Sequence, residues 1–389
     1  MKHTVLRPAS SRGRLLAAGA VLAVLAVSLT GLAAPAVASA TGGATGTAST
    51  ALSPGFNRPG DILIADQFNN RVIEVDPAGH IVWQFGKGPK DFSPQSIIGT
   101  NDAQRVGPFT LMAGTGDPPV AAGSSPPAGD LCPNLANGCP DNRVILVDPF
   151  GRIVWQYGQF GVSGSGPDQL NTPVQATWLP DGHVLITDQA NERIIEVTHD
   201  KKIVWQYGMT GVSGSGPDQL NNPNSAELLP NGHILIADEN NNRAIEVTHD
   251  NAKKIVATFT VGGTASGMAF ASRLPNGDTL LTDSNNSRIV EVNGKDQPVW
   301  QYFTNDPKGN SAPLPTRAVR LRDGETLISD QFNDRVIEVV GTPPMGGTIE
   351  RQIGALNVFG IGHGLLDAPY SAYVIGDYTG LTPPFGFGA

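Results

Sequence analysis

Short runs of five or six β-branched or aromatic residues, broken by turn signals, recur along most of this chain. Between 173 and 208 the runs are VQATWL, HVLITD, RIIEVT and IVWQYG, separated by PDG, QANE and HDKK. This pattern predicts four short antiparallel strands. The second is apolar at successive positions, Leu185 and Ile186, rather than alternating. A strand of that kind is buried on both faces.

The unit repeats. ILIADQFNNRVIEVD at 62–76 returns as VLITDQANERIIEVT at 184–198, ILIADENNNRAIEVT at 234–248, TLLTDSNNSRIVEVN at 279–293 and TLISDQFNDRVIEVV at 326–340. A degenerate sixth copy, FTLMAGTG followed by NRVILVD within 109–148, carries an insertion at about 115–141. The shared arginines fall at 71, 143, 193, 243, 288 and 335, regular except across that insertion. Four-stranded units repeated every 45–50 residues predict an all-β, six-bladed β-propeller of antiparallel blades over 56–380. The first copy begins at the second strand of its unit, whereas LLDAPYSAYVIG at 365–376 follows the last and aligns with QLNTPVQATWLP at 169–180. The C-terminal segment is therefore expected to supply the innermost strand of the first blade and close the ring.

The N-terminus changes the picture of charge and compartment. Residues 1–40 combine Lys2, Arg7, Arg12 and Arg14, an apolar run, and Ala38-Ser39-Ala40. That is the layout of a secretory signal peptide, with a flexible linker at 41–55 after it. Without those four cations 22 basic residues face 35 acidic ones, a net charge near −13. A phosphate-binding surface needs a basic patch, so nucleic acid is not an expected partner. No later apolar stretch is long enough to span a membrane. Cys132 and Cys139, the two cysteines, sit in the insertion, and export favours a local disulfide between them.

Asp and Arg recur five residues apart as Asp66/Arg71, Asp188/Arg193, Asp238/Arg243, Asp283/Arg288 and Asp330/Arg335, with an Asn two before each arginine. Together with the loop GSGPDQLNNP leading into an innermost strand, this resembles the NHL-repeat family. The stretch Asp148 to Trp155 is also similar to quinoprotein and arylsulfate sulfotransferase propeller repeats. The resemblance implies a six-bladed propeller of the kind used by secreted lyases, hydrolases and binding proteins.

A pair present in five blades is distributed around the ring and cannot converge on one substrate, so its expected role is to pin the turn between strands two and three. Each strand three also repeats a glutamate: Glu74, Glu196, Glu246, Glu291 and Glu338. In the degenerate copy Gly114 and Leu146 replace both acids, which suggests one shared network, and Arg143 is expected to turn to Asp141. Trp83, Trp155, Trp205 and Trp300 read as inter-blade packing, while Trp178 lies on an innermost strand and could face a ligand. Most histidines fall in surface turns, and no metal centre is predicted.

A converging site has to differ from blade to blade, and residues flanking a shared alanine on the innermost strands do. Asp102, Gln104, Gln175, Thr177, Ser225, Glu227, Arg317, Ser371 and Tyr373 are the funnel candidates, with His363 in the loop GIGHGLLDAP leading to the last such strand. A polar funnel of this kind suits a small polar molecule. No catalytic motif stands above the repeats, so a monomeric exported scaffold binding a small polar molecule or another extracellular protein is the leading expectation. The alternative is a secreted lyase, hydrolase or sulfotransferase-like enzyme, with His363 or Glu227 as base and Arg317 stabilising negative charge. No cofactor is predicted beyond a weak case for calcium between Asp102 and Glu227. Residues 381–389 read as a tail.

Overall fold

The computed structural model describes residues 52–122, 124–127, 129–262 and 267–384. The expected signal peptide, most of the expected linker and the last five residues lie outside this range. The described chain forms six four-stranded antiparallel sheets. Blade 1 runs outward from Pro369–Val374 through Ile62–Asp66 and Arg71–Val75 to Ile81–Phe85. Blade 2 is Thr100–Val106, Phe109–Asp117, Cys139–Val147 and Ile153–Gly158, and blade 3 is Pro173–Trp178, Val184–Asp188, Arg193–Val197 and Ile203–Tyr207. Blade 4 is Pro223–Leu228, Ile234–Asp238, Arg243–Val247 and Ile255–Phe259. Blade 5 is Met268–Arg273, Thr279–Asp283, Arg288–Val292 and Pro298–Phe303. Blade 6 is Arg317–Arg320, Thr326–Asp330, Arg335–Gly341 and Gly347–Gly354.

The first strand of each blade touches that of the next all the way round, which makes a closed ring. The expected fastening is present: Ile62 to Ala65 pair with Val374 to Ser371. Every second strand is buried along its full length except in blade 2, where Phe109 and Thr115 are half-buried. The core is accordingly six apolar clusters, each lying between two neighbouring blades. Among the described residues no helix is long and apolar enough to cross a membrane.

Asp and Arg of the repeat hold the turn between strands two and three. Arg71, Arg193, Arg243, Arg288 and Arg335 each donate through Nε to the paired aspartate at 2.6–2.8 Å. The Asn two before the arginine donates to the same aspartate. The free oxygen of Asp66, Asp188 and Asp238 accepts a backbone N–H from the loop leading into the innermost strand. One carboxylate thus fixes two loops. Just before the arginine the chain adopts a positive φ, as at Asn70, Glu192 and Asp334. The carbonyl exposed there packs on Gly86, Gly208 and Gly354, where an added Cβ would lie 2.2–2.3 Å from it. Only glycine fits at those three strand ends.

The glutamates belong to a different network, which corrects the expectation of a shared one. Glu74, Glu246 and Glu291 pair across the blade boundary with Arg105, Arg273 and Arg320, each two residues after the alanine of the following innermost strand. In blade 2 the slot holds Leu146, and the facing position on blade 3 is Trp178; both belong to one apolar cluster. Glutamate and arginine have been replaced together by a hydrophobic pair, and Trp178 is committed to packing rather than to a ligand. Arg143 does turn to Asp141, at 2.5 Å. The strand-four tryptophans stitch blades as well as pack them: Trp83, Trp155, Trp205 and Trp300 donate Nε1 to carbonyls of Pro149, His199, Asp250 and Gly346 on the following blade.

Candidate functional site

Innermost strands bring most of the predicted residues to the axis. Asn101, Asp102, Gln175, Asn224, Ser225, Phe270, Thr316, Arg317, Tyr370 and Ser371 surround one end of the channel. Asp102, Gln104, Thr177, Glu227, Arg317, Tyr373, Tyr378 and Thr382 surround the other. Ten residues were singled out from the sequence, and nine of them line this channel. His363 does not: it stands exposed in its loop.

The charged groups of the channel are paired with one another, whereas Ser225 Oγ and Arg317 Nε are buried without a hydrogen-bond partner. Arg317 Nη1 donates to Asp102 Oδ1 at 2.5 Å, and its Nη2 lies 3.6 Å from Glu227 Oε1. The guanidinium also stacks 4.4 Å from the Phe270 ring centroid. Gln175 donates to Glu227 at 2.8 Å and accepts from the Ala226 amide at 2.7 Å. Gln104 accepts from the Trp178 amide, and Asp102 from that of Ala176. A cation already lies between Asp102 and Glu227, and it is Arg317. Burial pushes both carboxyls up from their ordinary range, against the opposing pull of Arg317.

The tail closes the second end. Thr382 is buried, and its amide and hydroxyl both donate to Glu227 Oε2, at 2.8 and 2.6 Å. Gln104 donates to the Thr382 carbonyl, and the Leu228 amide to its hydroxyl. Leu381 and Thr382 therefore line this end of the channel. Free space at each end of the channel is about 10 Å³. That is room for roughly one water.

Loops leading into innermost strands and loops joining strands two and three share one face of the ring, because successive strands alternate in direction. The insertion of blade 2 opens on this face, tied by the Cys132–Cys139 disulfide. On this face the leading loops of blades 1, 3 and 4 expose Val162, Met209, Val212, Val358, Phe359 and Ile361, and the insertion exposes Leu131 and Leu135.

No family model and no curated protein matches the chain. Solved structures do. Virginiamycin B lyase from Staphylococcus aureus is 16% identical, with a TM-score of 0.42 over 63% of this chain and 68% of that one. A streptogramin B lyase is 12% identical, with a TM-score of 0.46 over 74% of this chain and 82% of that one. A protein of unknown function from Bacteroides caccae is 14% identical, with a TM-score of 0.49 over 76% of this chain and 100% of that one.

Proposed function

We propose that this is an exported NHL-like propeller that works as an interaction scaffold, engaging another extracellular protein through the loop face. The observation that carries this reading is the set of exposed aliphatic and aromatic side chains, led by Val212 and Phe359, on the leading loops of blades 1, 3 and 4, the same face that bears the disulfide-tied insertion. Large side chains displayed together on one face of a rigid scaffold fit a protein partner. The channel supports the same reading from the other side: its charged groups are paired internally, and its free volume is far below the ~300 Å³ of an ordinary ligand pocket.

Photo-crosslinking residues placed at Val212 and Phe359 test the proposal in expressing cells, with Val256 on an outermost strand as control. A discrete crosslinked protein from the two rim positions and none from the control is expected. Turnover of an ester, lactone or aryl sulfate that disappears in Arg317→Ala, without rim crosslinks, would replace the scaffold by the enzyme.

A further inference from the structure

Blades 3 and 4 carry the same local frame in the turn between strands one and two, and they differ at two residues. In blade 4, Asn231 Nδ2 and His233 Nδ1 lie 2.9 and 2.7 Å from Glu246 Oε1, while Arg273 Nη2 donates to Glu246 Oε2 at 2.9 Å. The carboxylate there is fully met by an amide, an imidazole and a guanidinium. In blade 3, Asp181 stands where blade 4 has Asn231. An acceptor has replaced a donor, so two carboxylates now face one imidazole: His183 Nδ1 lies 2.5 Å from Glu196 Oε1 and 3.2 Å from Asp181 Oδ2. The guanidinium is missing as well, because the corresponding position on blade 4 is Leu228. His249, from the turn between strands three and four of blade 4, takes its place, with Nε2 2.5 Å from Glu196 Oε2.

We infer that Asp181, His183, Glu196 and His249 bind a divalent transition-metal ion, zinc by preference, as a clamp between blades 3 and 4. Ligand atoms of Asp181, His183 and Glu196 all lie within 4.8 Å of one another, and among the described residues no other trio of His, Cys, Asp or Glu does so. His249 lies outside that trio, against the other oxygen of Glu196, and is the fourth ligand of the proposal, from the neighbouring blade. Two imidazoles and two carboxylates match the nitrogen and oxygen donors that zinc accepts at about 2.0–2.2 Å. Calcium and magnesium favour all-oxygen sets. Four protein ligands describe a closed site, which makes the ion structural rather than catalytic. Glu196 is buried, whereas Asp181 is exposed and His183 and His249 are partly exposed, so the ion has a path from solvent. Blade 4 is an internal control, since its Asn231 and Arg273 supply the carboxylate with hydrogen-bond donors in the corresponding places. The site departs from the sequence reading, which assigned no metal, and it is independent of the loop-face function.

The test uses the full secreted chain, stripped with EDTA and dialysed. Titration calorimetry with zinc chloride is expected to show one saturable site, and added cobalt chloride the visible d–d bands of tetrahedral coordination. Asp181→Asn, which recreates the blade 4 arrangement, and His249→Gln should each weaken zinc binding at least about tenfold. His233→Gln in blade 4 should leave it unchanged. Metal-free thermal melts establish that the variants fold, and His249→Gln alone decides the matter if Asp181→Asn does not. Absence of saturable binding, or wild-type affinity in the folded blade 3 variants, overturns the site.

Discussion

Two consecutive blade boundaries fill the same slot in opposite ways. Between blades 1 and 2, Glu74 and Arg105 meet at 2.6 Å, both almost fully buried, with the guanidinium 4.5 and 4.8 Å from the rings of Phe56 and Trp83. Between blades 2 and 3 the slot holds Leu146 and Trp178. A buried ion pair must offset a desolvation penalty of several kcal/mol per ion, and an apolar pair of similar volume avoids it. The ring therefore tolerates either solution provided both members change together, and what it cannot tolerate is half of each.

The most severe way to break the charged boundary is to remove its backbone support. Ending the chain at Gly364 deletes the innermost strand of blade 1, including Tyr373, whose hydroxyl accepts the Arg105 amide, and also the Thr382 floor. With total stability of about 5–15 kcal/mol, loss of a whole strand and its backbone bonds should abolish cooperative folding. Thermal melts of the secreted truncation against the full chain check this, and equal midpoints would contradict the closure.

Glu74→Ala leaves Arg105 buried without its carboxylate and should cost about 3–5 kcal/mol in denaturant unfolding. Adding Arg105→Met should recover most of that loss, because the Leu146–Trp178 boundary shows that the slot works without charge. If the double variant is no more stable than the single one, the two boundaries are not equivalent.

A smaller effect separates the boundaries by pH. Asp367, in the loop leading to the closing strand, is pushed up to about 8 by burial and by Asp66, Asp334, Asp117 and Asp130 around it. A carboxyl whose folded value is raised favours folding while protonated, so its contribution is complete below about pH 4 and is lost as pH rises through 8. The wild-type melting temperature should therefore fall, relative to Asp367→Asn, between pH 5 and 9. Parallel pH profiles for the two proteins would discount this cluster. The smallest change is expected at the boundary of blades 5 and 6, where Arg320 is one-fifth exposed and sits 2.8 Å from Glu291. Arg320→Met should cost no more than about 1 kcal/mol by the same unfolding assay.

These boundaries also mark where the sequence was legible. Blade number, ring closure, the disulfide and the turn from Arg143 to Asp141 are written in local spacing, and the structure follows them. The glutamate partners are not, because Arg105, Arg273 and Arg320 lie 27 to 31 residues from their acids and occur in three blades only. Aligning the second residue after the shared alanine would have exposed them, with Trp178, Leu228 and Val374 as the informative exceptions. The funnel residues were found because they vary where the scaffold repeats. The pairing of the charged ones was hidden, since chain order says nothing about Arg317 reaching Asp102, and Thr382 belongs to no repeat. His183 and His249 passed as turn residues because each turn is ordinary until the two blades are placed side by side.

The fastening has a consequence for how the molecule is made. Blades 2 to 6 each pair strands close in sequence, so each is complete soon after its last residue is synthesised. Blade 1 is different, because Ile62 pairs with Val374. At translation rates of about 5–20 residues per second, the first strand waits on the order of 15–60 s for its partner. During that interval it presents an unpaired apolar edge, the kind of template that invites the wrong neighbour. Circular permutation that joins the closing strand directly to Ile62 would remove the wait, and a higher yield of folded protein during rapid synthesis would show that ring closure limits biogenesis.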